Sequence, residues 1–336
     1  MTGWLIVNEY LNTEKFLELQ ELFMMAASKK GIELVKYTNA DFVVRCDNAT
    51  VLSKAFEHGN PDFVIFYDKD IILAKALEDM GLRVFNSAKA IEICDSKQKT
   101  AAAVSRLQVT RSQSGDISFR MRTPATFKIP FTYENIGISK DASFEFLSEI
   151  EKIIAYPMII KESYSSFGMG VHLAYDRNEA IELISKYGDK ECLIQEYIDT
   201  ESTKTNNQGK DREDRNSADK AVPVPTACDI RLQMVGDKCV AAMMRSNDND
   251  YRANLTNGGV MTKYEPREAE LVVARKAMEL LSLDFAGIDI MFDSEGNPIF
   301  CEANSNAHFK NLYDLTGINV AEEMLEYINH SICEPI

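Results

Sequence analysis

Two apolar runs near the end of the chain, joined by a cluster of turn-forming residues, constrain the fold more than any other feature. Residues 285–292 have the sequence FAGIDIMF, residues 299–306 have the sequence IFCEANSN, and DSEGNP lies between them. Apolar runs on either side of a segment that contains Gly, Asn and Pro are typical of a β-hairpin. Because side chains alternate along a strand, Glu302 and Asn304 are expected to share one face of the second strand.

The pairing of this hairpin brings two acidic side chains together. With residues 294–297 as its loop, the expected pairs are Phe292 with Ile299, Met291 with Phe300, Asp289 with Glu302, and Gly287 with Asn304. Opposed carboxylates repel each other, so a cation is expected between them. Two carboxylates and one amide oxygen suit Mg²⁺. A slip of one residue would instead turn one acid to solvent, and the hairpin alone leaves both arrangements open.

Composition and charge exclude several classes of protein. The chain has 336 residues, a net charge of −15 and an isoelectric point near 4.9. It contains no block of Lys and Arg, so no nucleic-acid partner is expected. Its seven cysteines are scattered singly, without the spacings of a zinc site or a disulfide framework, which favours a reducing cytoplasm. The absence of a long apolar run and of a basic, apolar leader predicts neither a membrane span nor a signal peptide.

The first part of the chain alternates short apolar runs with helical patterns. Strands are expected at residues 4–8, 32–37, 63–67 and 82–85, and helices at residues 13–30 and 70–80. Two such β-α-β units predict a small parallel α/β domain. Residues 88–107 are expected to form one helix that leads away from this domain.

The rest of the chain mixes strands and helices in a different order. Strands are expected at residues 157–161, 171–175, 192–198, 229–235 and 238–244, and helices at residues 143–154, 178–187, 266–282 and 320–330. Residues 199–221 are dominated by Thr, Asn, Asp, Lys and Arg. Such a segment cannot bury enough apolar area to become ordered, so we expect a mobile loop there.

A loop of small residues follows Lys161. Residues 162–170 have the sequence ESYSSFGMG. Small residues let backbone N–H groups approach an anion, and a lysine at the base of the loop adds a positive charge, so the loop is a candidate phosphate clamp. It has neither the Gly-Lys-Ser/Thr of a Walker loop nor a GxGxxG pattern. A plain flexible turn is the alternative.

The order of the polar motifs is more specific than any one of them. From the N-terminus they are Lys97 in CDSK, Lys161 with its glycine loop, QEYI at 195–198, Asp229 in DIR, YRAN at 251–254, Asp289, and Glu302 with Asn304. In this order they resemble the ATP-grasp superfamily, and within it the RimK-type carboxylate–amine ligases. The resemblance covers nearly the whole chain, and DIMFDSEGNPIFCEANSN is its most specific part.

The resemblance implies a fold and a division into domains. The implied fold is the α/β (α+β) ATP-grasp fold, in which a small parallel α/β N-terminal domain precedes two α+β subdomains that sandwich ATP. On this chain the N-terminal domain would cover residues 1–94, and the linker helix with the central subdomain residues 95–200. A flexible insertion would cover residues 201–225, and the C-terminal subdomain with the magnesium site residues 226–336.

The resemblance also implies the site residues. Asp289, Glu302 and Asn304 match the metal ligands, with Glu302 bridging two Mg²⁺ ions that Mn²⁺ could replace. The positions that match the ATP site are Lys97 and Lys161 for the phosphates, Ser166, Gly168 and Gly170 in the loop, Glu196, Tyr197 and Ile198 for adenine, Asp229 for ribose, and Arg252 and Asn254 beside the phosphates. Arg245 and Arg252 match the catalytic positions, with Arg245 facing the developing acyl phosphate.

The sequence departs from the family pattern in three places, and one of them is the insertion of residues 199–221, which is longer than usual between the adenine strand and the ribose aspartate. Ser96-Lys97 stands where the family commonly has Asp-Lys, so either Lys97 or Lys99 is the first phosphate lysine. Asn306-Ala307-His308 stands where family members often have Asn-Pro-Gly, near the expected acceptor site, which leaves the substrate open. His308 itself is expected to be a loop residue and not a base.

These features predict an ATP-dependent ligase that joins a small-molecule or peptide carboxylate to an amine through an acyl phosphate. Two other classes share the expected metal and nucleotide site. A phosphotransferase would leave the phosphate on its product, and a non-catalytic nucleotide-binding module would not turn ATP over. Whether the chain forms a homo-oligomer is left open by the sequence.

Overall fold

Four parallel strands near the N-terminus form the first sheet. The computed structural model describes residues 1–105, 121–131, 144–165, 168–200, 227–248, 250–253 and 258–333. In chain order the first strands are β1 (Thr2–Val7), β2 (Glu33–Thr38), β3 (Val43–Arg45), β4 (Thr50–Leu52), β5 (Phe63–Tyr67) and β6 (Val84–Phe85). The first sheet has the order β2-β1-β5-β6, and β3 pairs with β4 in an antiparallel ribbon. The expected parallel α/β unit is confirmed.

Helices cover both faces of the first sheet. They are α1 (Glu14–Lys29), α2 (Ile71–Asp79) and α3 (Ala88–Asp95). Leu5 and Ile65 pack in the cluster that contains α1, whereas Ile6 and Phe66 pack in the cluster that contains α2 and α3. Strands that are buried on both faces need continuous apolar runs, which explains why β1 and β5 show no polar alternation.

The expected single helix over residues 88–107 is wrong, because the helix breaks at Ser96. Ser96 has an extended backbone (φ −102°, ψ 112°), and the helix α4 (Lys97–Ser105) begins directly after it. The buried Ser96 hydroxyl lies 3.0 Å from the Ser163 hydroxyl, and the Lys97 backbone N–H donates to the Ser163 carbonyl oxygen. Helical periodicity in the sequence cannot predict hydrogen bonds to a distant residue such as Ser163. These hydrogen bonds place Lys97 at the start of a new helix.

The second sheet is antiparallel and carries the small-residue loop. Its strands are β7 (Thr126–Lys128), β8 (Met158–Glu162), β9 (Val171–Ala174) and β10 (Cys192–Glu196), in the order β7-β10-β8-β9. Helices α5 (Glu145–Glu151) and α6 (Arg177–Tyr187) pack on one face of this sheet. The Asp176 side chain accepts the backbone N–H groups of Asn178 and Glu179 and so begins α6.

The third sheet is also antiparallel, and its two faces differ in chemistry. Its strands are β11 (Ala227–Val235), β12 (Lys238–Asn247), β13 (Val260–Lys263), β14 (Phe285–Phe292) and β15 (Pro298–Asn304), in the order β13-β12-β11-β14-β15. Ile230, Leu232 and Ile288 pack against α7 (Glu268–Leu281) on one face. Because side chains alternate, Asp229, Arg231 and Asp289 lie on the opposite face.

Two helices at the C-terminal end join the third sheet to the first. Helices α8 (Lys310–Thr316) and α9 (Val320–Cys333) pack against α1 and the first sheet through Leu312, Met324 and Leu325. None of the helices in the described ranges is long and apolar enough to cross a membrane. The expected mobile loop at residues 199–221 lies, from residue 201 onward, outside the described residues.

Candidate active site

A cavity of about 600 Å³ lies where the three sheets meet. Most of the site residues expected from the sequence line it, namely Lys97, Lys161, Gly168, Glu196, Tyr197, Ile198, Asp229, Arg245, Arg252, Asp289, Glu302 and Asn304. Gly170, at the end of the loop, is not among the lining residues, and Ser166 and Asn254 lie outside the described residues. Residues that are far apart in the sequence are therefore brought to one cavity.

The hairpin of β14 and β15 pairs its polar residues as expected, but the register near its turn differs from the expected one. The pairs are Phe292 with Pro298, Met291 with Ile299, Ile290 with Phe300, Asp289 with Glu302, and Gly287 with Asn304. The expected partners of Phe292 and Met291 are thus wrong by one residue. A bulge at Cys301 inserts one extra residue and restores the pairing of Asp289 with Glu302.

The carboxylate of Asp289 is buried between two arginines. Arg231 donates through Nε and Nη2 to Oδ1 and Oδ2 of Asp289, both at 2.6 Å, and Arg245 Nη2 lies 3.0 Å from Oδ2. Arg245 also donates two hydrogen bonds, of 2.6 and 2.7 Å, to Asp229. Burial alone would raise the pKa of Asp289, but the two guanidinium groups outweigh burial and lower the pKa to about 2. Asp289 is therefore ionised at neutral pH.

The oxygen atoms of Asp289, Glu302 and Asn304 fit a hard cation. The two arginines use three of the roughly four lone-pair positions of the Asp289 carboxylate, which leaves one on Oδ1. Asn304 turns its amide N–H groups to Glu302 Oε1, 3.1 Å away, so its amide oxygen is directed elsewhere. Across the described residues, no group of three or more His, Cys, Asp or Glu side chains is placed to hold a metal. The candidate set therefore consists of two carboxylates and an amide, a combination that suits Mg²⁺.

Lys97, and not Lys99, points into the cavity. Lys97 Nζ donates to the Ser165 carbonyl oxygen at 2.6 Å and lies 3.1 Å from the Ser165 hydroxyl. Lys99 pairs with Glu92 at 2.6 Å on the exposed side of the same helix. Burial lowers the pKa of Lys97, and the negative charge of Glu302 partly opposes that effect.

The second lysine and the end of β10 form the wall on the side of the second sheet. Lys161 Nζ donates to Gln195 Oε1 at 2.6 Å. The Glu196 carboxylate accepts a hydrogen bond of 3.0 Å from the Ala125 backbone N–H, which holds this side chain against the strand β7 region. Tyr197 and Ile198 continue beyond the end of β10 and line the cavity.

The glycine loop is tied to the connection that follows β12. Gly168 has φ +74°, a conformation that favours glycine. Arg252 Nη1 donates to the Gly168 carbonyl oxygen at 3.2 Å, while its Nε and Nη2 bind Asp250. A Cβ atom on Gly170 would lie 2.6 Å from Ser165 Cβ, so the loop folds back on itself too closely for a larger residue.

Sequence reasoning missed the wall that the first sheet contributes. Lys15, Tyr67 and Asp68 line the cavity together with His308. Asp68 follows the carboxyl end of β5, and this end of parallel strands is where ligands often bind. The position of Asp68 directly after a predicted parallel strand could therefore have identified it as a candidate site residue from the sequence. The other missed residue is Arg231, whose role depends on strand pairing with Asp289 and is invisible in the sequence.

The partly buried side chain of His308 is expected to make the stability of the protein depend on pH. Burial lowers the pKa of His308 to about 4, below the 6.5 of an unperturbed histidine. Below pH 6.5 the unfolded chain binds a proton first, so the free energy of unfolding should fall between pH 6.5 and 4 by about 3 kcal/mol from this residue. Urea unfolding of His308→Gln should show a smaller fall over that range, whereas the exposed control His58→Gln should follow the parent. Identical pH profiles for His308→Gln and the parent would contradict the assignment.

Comparison with protein families finds a match over most of the chain. The RimK-like ATP-grasp domain matches residues 121–328. This range contains the second and third sheets and all the site residues named above except Lys97 and the wall of the first sheet.

Among curated relatives, the similarity is moderate. An uncharacterised protein of Mycoplasma pneumoniae is 26% identical over 252 residues, which cover 75% of each chain. A probable α-L-glutamate ligase of Klebsiella pneumoniae is 27% identical over 66% of this chain and 64% of its own length. The ribosomal protein bS6–L-glutamate ligase of Escherichia coli O7:K1 is 31% identical over 53% of this chain and 52% of its own length. The chain thus spans less than two thirds of these two ligases.

Solved structures share the whole fold. The D-alanine–D-alanine ligase of Bacillus anthracis complexed with ATP matches with a TM-score of 0.64 at 15% identity, over 99% of this chain and 97% of that one. A RimK domain protein of Sphaerobacter thermophilus matches with a TM-score of 0.61 at 16% identity, over 97% and 99%. The ATP-grasp ligase PsnB, complexed with a minimal precursor, Mg and ADP, matches with a TM-score of 0.61 at 12% identity, over 99% and 98%. The expected ATP-grasp fold is confirmed.

Proposed function

Since the chain belongs to the RimK-like ATP-grasp family, we propose that it catalyses the ATP-dependent ligation of a carboxylate to an amine, with release of ADP and phosphate. The observation that carries the proposal is that two partly buried lysines, Lys97 and Lys161, line the same cavity as the set Asp289, Glu302 and Asn304. Lysines supply charge for phosphates, and carboxylate and amide oxygens supply ligands for the cation that accompanies them. The site thus has the parts that phosphoryl transfer to a carboxylate requires.

The metal set would be Asp289, Glu302 and Asn304, holding two Mg²⁺ ions that Mn²⁺ could replace. When bound, such ions neutralise the phosphate charge and orient the transferred group. Asp289 is fixed by Arg231 and Arg245, so it offers its remaining lone pair in one direction. Glu302, by contrast, forms no ion pair with any described side chain and is the carboxylate whose charge still needs a partner.

The nucleotide would lie between the second and third sheets. Lys97 and Lys161 would hold the phosphates, with the loop that contains Ser166, Gly168 and Gly170 closing over them. Residues 196–198 would hold adenine. Asp229 would bind ribose while its carboxylate stays fixed by Arg245, and Asn254 would lie beside the phosphates.

The chemistry would proceed in two displacements. A substrate carboxylate oxygen attacks the γ-phosphorus, the bond to ADP breaks, and an acyl phosphate forms. The amine then attacks the acyl carbon, loses a proton, and phosphate leaves with the former carboxylate oxygen. Arg252 would stabilise the transferred phosphoryl group. Arg245 Nη1 makes none of the bonds to Asp229 and Asp289, which supports its facing the acyl phosphate.

The organisation and setting of the enzyme belong to the same proposal. The domain boundaries would be those expected from the sequence, with the ATP site between the segments 95–200 and 226–336. None of the seven cysteines, all of which lie in the described ranges, forms a disulfide, which supports a reducing, cytoplasmic location. Substrates would be small-molecule or peptide carboxylates and amines, and the names of the bS6–glutamate and α-glutamate ligases suggest L-glutamate as the first amine to try.

A phosphate-release screen tests the proposal. Purified protein with ATP and Mg²⁺ is incubated with a matrix of carboxylic acids and amines that includes the twenty amino acids. Release that requires both a carboxylate and an amine supports ligation. A phosphorylated product that accumulates instead would indicate a phosphotransferase, and ATP binding without turnover on any pair would indicate a non-catalytic module.

The two neighbouring lysines provide a matched pair of variants. Lys97→Met is expected to raise the KM for ATP by about 10- to 100-fold, the cost of one lost charge-assisted hydrogen bond, and to lower kcat. Lys99→Met removes only an exposed ion pair with Glu92, so its KM for ATP should stay within about twofold of the parent. Steady-state kinetics at varied ATP measure both. The reverse pattern would assign the phosphate contact to Lys99.

A further inference from the structure

The segment that follows the strand β15 is hydrogen-bonded to the first sheet, its following loops and helix α1 at four consecutive residues. Asn86 Nδ2 donates to the Ser305 carbonyl oxygen at 3.0 Å, and Asn306 Nδ2 donates to the Asp68 carbonyl oxygen at 2.7 Å. The Tyr67 hydroxyl donates to the Ala307 carbonyl oxygen, and His308 Nε2 lies 2.7 Å from the Lys15 carbonyl oxygen. We call residues 305–308 the strap. The strap begins directly after Asn304, so the first sheet holds the wall of the cavity beside the candidate metal site.

The strap lies close to the candidate metal site. A Cβ atom on Gly287, the partner of Asn304, would lie 2.7 Å from Ala307 Cβ and 3.3 Å from Arg231 Cδ. The strap is therefore pressed against the third sheet beside the arginine that holds Asp289. A group bound at the strap would lie next to the oxygen atoms proposed to hold the metal.

Three side chains of the wall each have a buried acceptor atom without a hydrogen-bond partner among the described residues. The atoms are Asp68 Oδ2, Asn306 Oδ1 and His308 Nδ1. The amide nitrogen of Asn306 is already used as a donor, so its remaining atom is the oxygen. His308 Nε2 faces a carbonyl oxygen and must carry the proton, so Nδ1 is an acceptor. All three residues line the cavity.

Asp68 is the charged member of this group. It is 5% exposed, its Oδ1 accepts a hydrogen bond of 3.0 Å from Asn8, and no Lys or Arg of the described part of the chain forms an ion pair with it. Burial raises the pKa of Asp68, and the hydrogen bonds from the Lys69 backbone and from Asn8, together with the charge of Lys69, offset only part of that effect. A buried carboxylate is stabilised by a cation with N–H groups.

We propose that Asp68, with Asn306 and His308, binds the ammonium group of an amino-acid substrate. Three acceptors, one of them anionic, match the three N–H donors and single charge of a primary ammonium group. At these three atoms an N–H group finds acceptors, whereas a carboxylate or phosphate oxygen would meet only other acceptor atoms. The inference rests on the proposed ligase function, and it specifies that at least one of the two substrates is an amino acid.

Paired variants and paired ligands test this site. Asp68→Asn keeps the shape and the contact with Asn8 but removes the charge, Asp68→Glu keeps the charge, and the exposed Asp79→Asn is the matched control. Each purified protein with ATP and Mg²⁺ is screened for phosphate release with the twenty amino acids and with their des-amino acids. Its melting temperature is measured with the same compounds as a readout that needs no turnover.

We expect an amino acid to support turnover in the parent and its des-amino acid to bind at least tenfold more weakly. Asp68→Asn should raise the KM for that amino acid by about 10- to 100-fold and leave the KM for ATP within about twofold. Asp68→Glu should recover part of the affinity, and Asp79→Asn should match the parent. An unchanged amino-acid KM in a folded Asp68→Asn protein, or turnover of des-amino acids alone, would overturn the ammonium site and leave the ligase function standing.

The melting temperature separates this inference from the proposed function. If no pair of substrates releases phosphate, the ligase function fails. Even then, stabilisation of the parent by an amino acid that is lost in Asp68→Asn would support an ammonium site. The ammonium site would be overturned if no amino acid raised the melting temperature of the parent, or if the rise were equal in the parent and in Asp68→Asn.

Discussion

Glu302→Ala is expected to lower kcat at least about 100-fold, which corresponds to roughly 3 kcal/mol of transition-state stabilisation. The reason lies in the unequal surroundings of the two opposed carboxylates. Arg231 and Arg245 compensate the charge of Asp289, whereas Glu302 has only the amide of Asn304 as a hydrogen-bond partner among the described residues. Glu302 is thus the carboxylate on which cation binding should depend most.

The same substitution should not harm the fold. It removes a like-charge neighbour of Asp289, so the melting temperature without metal should be equal to that of the parent or higher. Glu295→Ala, in the exposed loop of the same hairpin, is the control and should keep both activity and stability. Steady-state phosphate release at saturating ATP and Mg²⁺ measures the effect. A Glu302→Ala protein with more than about a tenth of the parent rate would remove the metal role of this residue, since one lost metal contact should exceed that factor.

Asn86→Ala is expected to lower the free energy of unfolding by about 3 kcal/mol or more, because it leaves several buried backbone groups without partners. Asn86 is fully buried, and its amide nitrogen donates to the carbonyl oxygens of Phe285 and Ser305 at 2.8 and 3.0 Å. Its amide oxygen accepts the backbone N–H groups of Asp284 and Phe285 at 2.7 and 3.2 Å. One side chain therefore connects the first sheet, the start of β14 and the strap.

Urea unfolding measures the effect of Asn86→Ala as a shift of the midpoint. The exposed Asn60→Ala is the control, and its free energy of unfolding should lie within about 0.5 kcal/mol of the parent. A midpoint for Asn86→Ala equal to that of the control would mean that these four hydrogen bonds contribute little to the attachment of the strap.

Local patterns were enough to predict the elements but not their connections. The two β-α-β units and the hairpin of β14 and β15 follow from alternation, helical periodicity and turn residues, all of which act within a few residues. The break at Ser96 depends instead on Ser163, 67 residues away in the sequence. The bulge at Cys301 depends on how β14 and β15 pack along their length, which the turn alone does not determine.

The electrostatics of the site show the same limit. The repulsion between Asp289 and Glu302 follows from the hairpin pairing, and the sequence correctly indicates that positive charge must lie nearby. The structure supplies part of that charge from Arg231, which lies opposite Asp289 on β11, and from Arg245 on β12. Which arginine faces which aspartate depends on the order and register of three strands, and a single sequence does not contain that information.

The wall beside the strap could not be predicted for a related reason. Asp68 and Asn306 are separated by 238 residues in the sequence and meet through one hydrogen bond. Asp and Asn are common in loops, so neither residue by itself indicates a binding site. Their shared role follows only from the packing of α1 and the first sheet against α8 and α9.

The transfer of ¹⁸O from a labelled substrate carboxylate to the released phosphate tests the central claim most directly. In the proposed reaction the carboxylate oxygen attacks the γ-phosphorus, and it leaves with phosphate when the amine displaces it. Mass spectrometry of the phosphate should therefore find one ¹⁸O atom for each bond formed, and only when ATP and the amine are both present. Unlabelled phosphate, or label that stays on a phosphorylated product, would contradict ligation through an acyl phosphate.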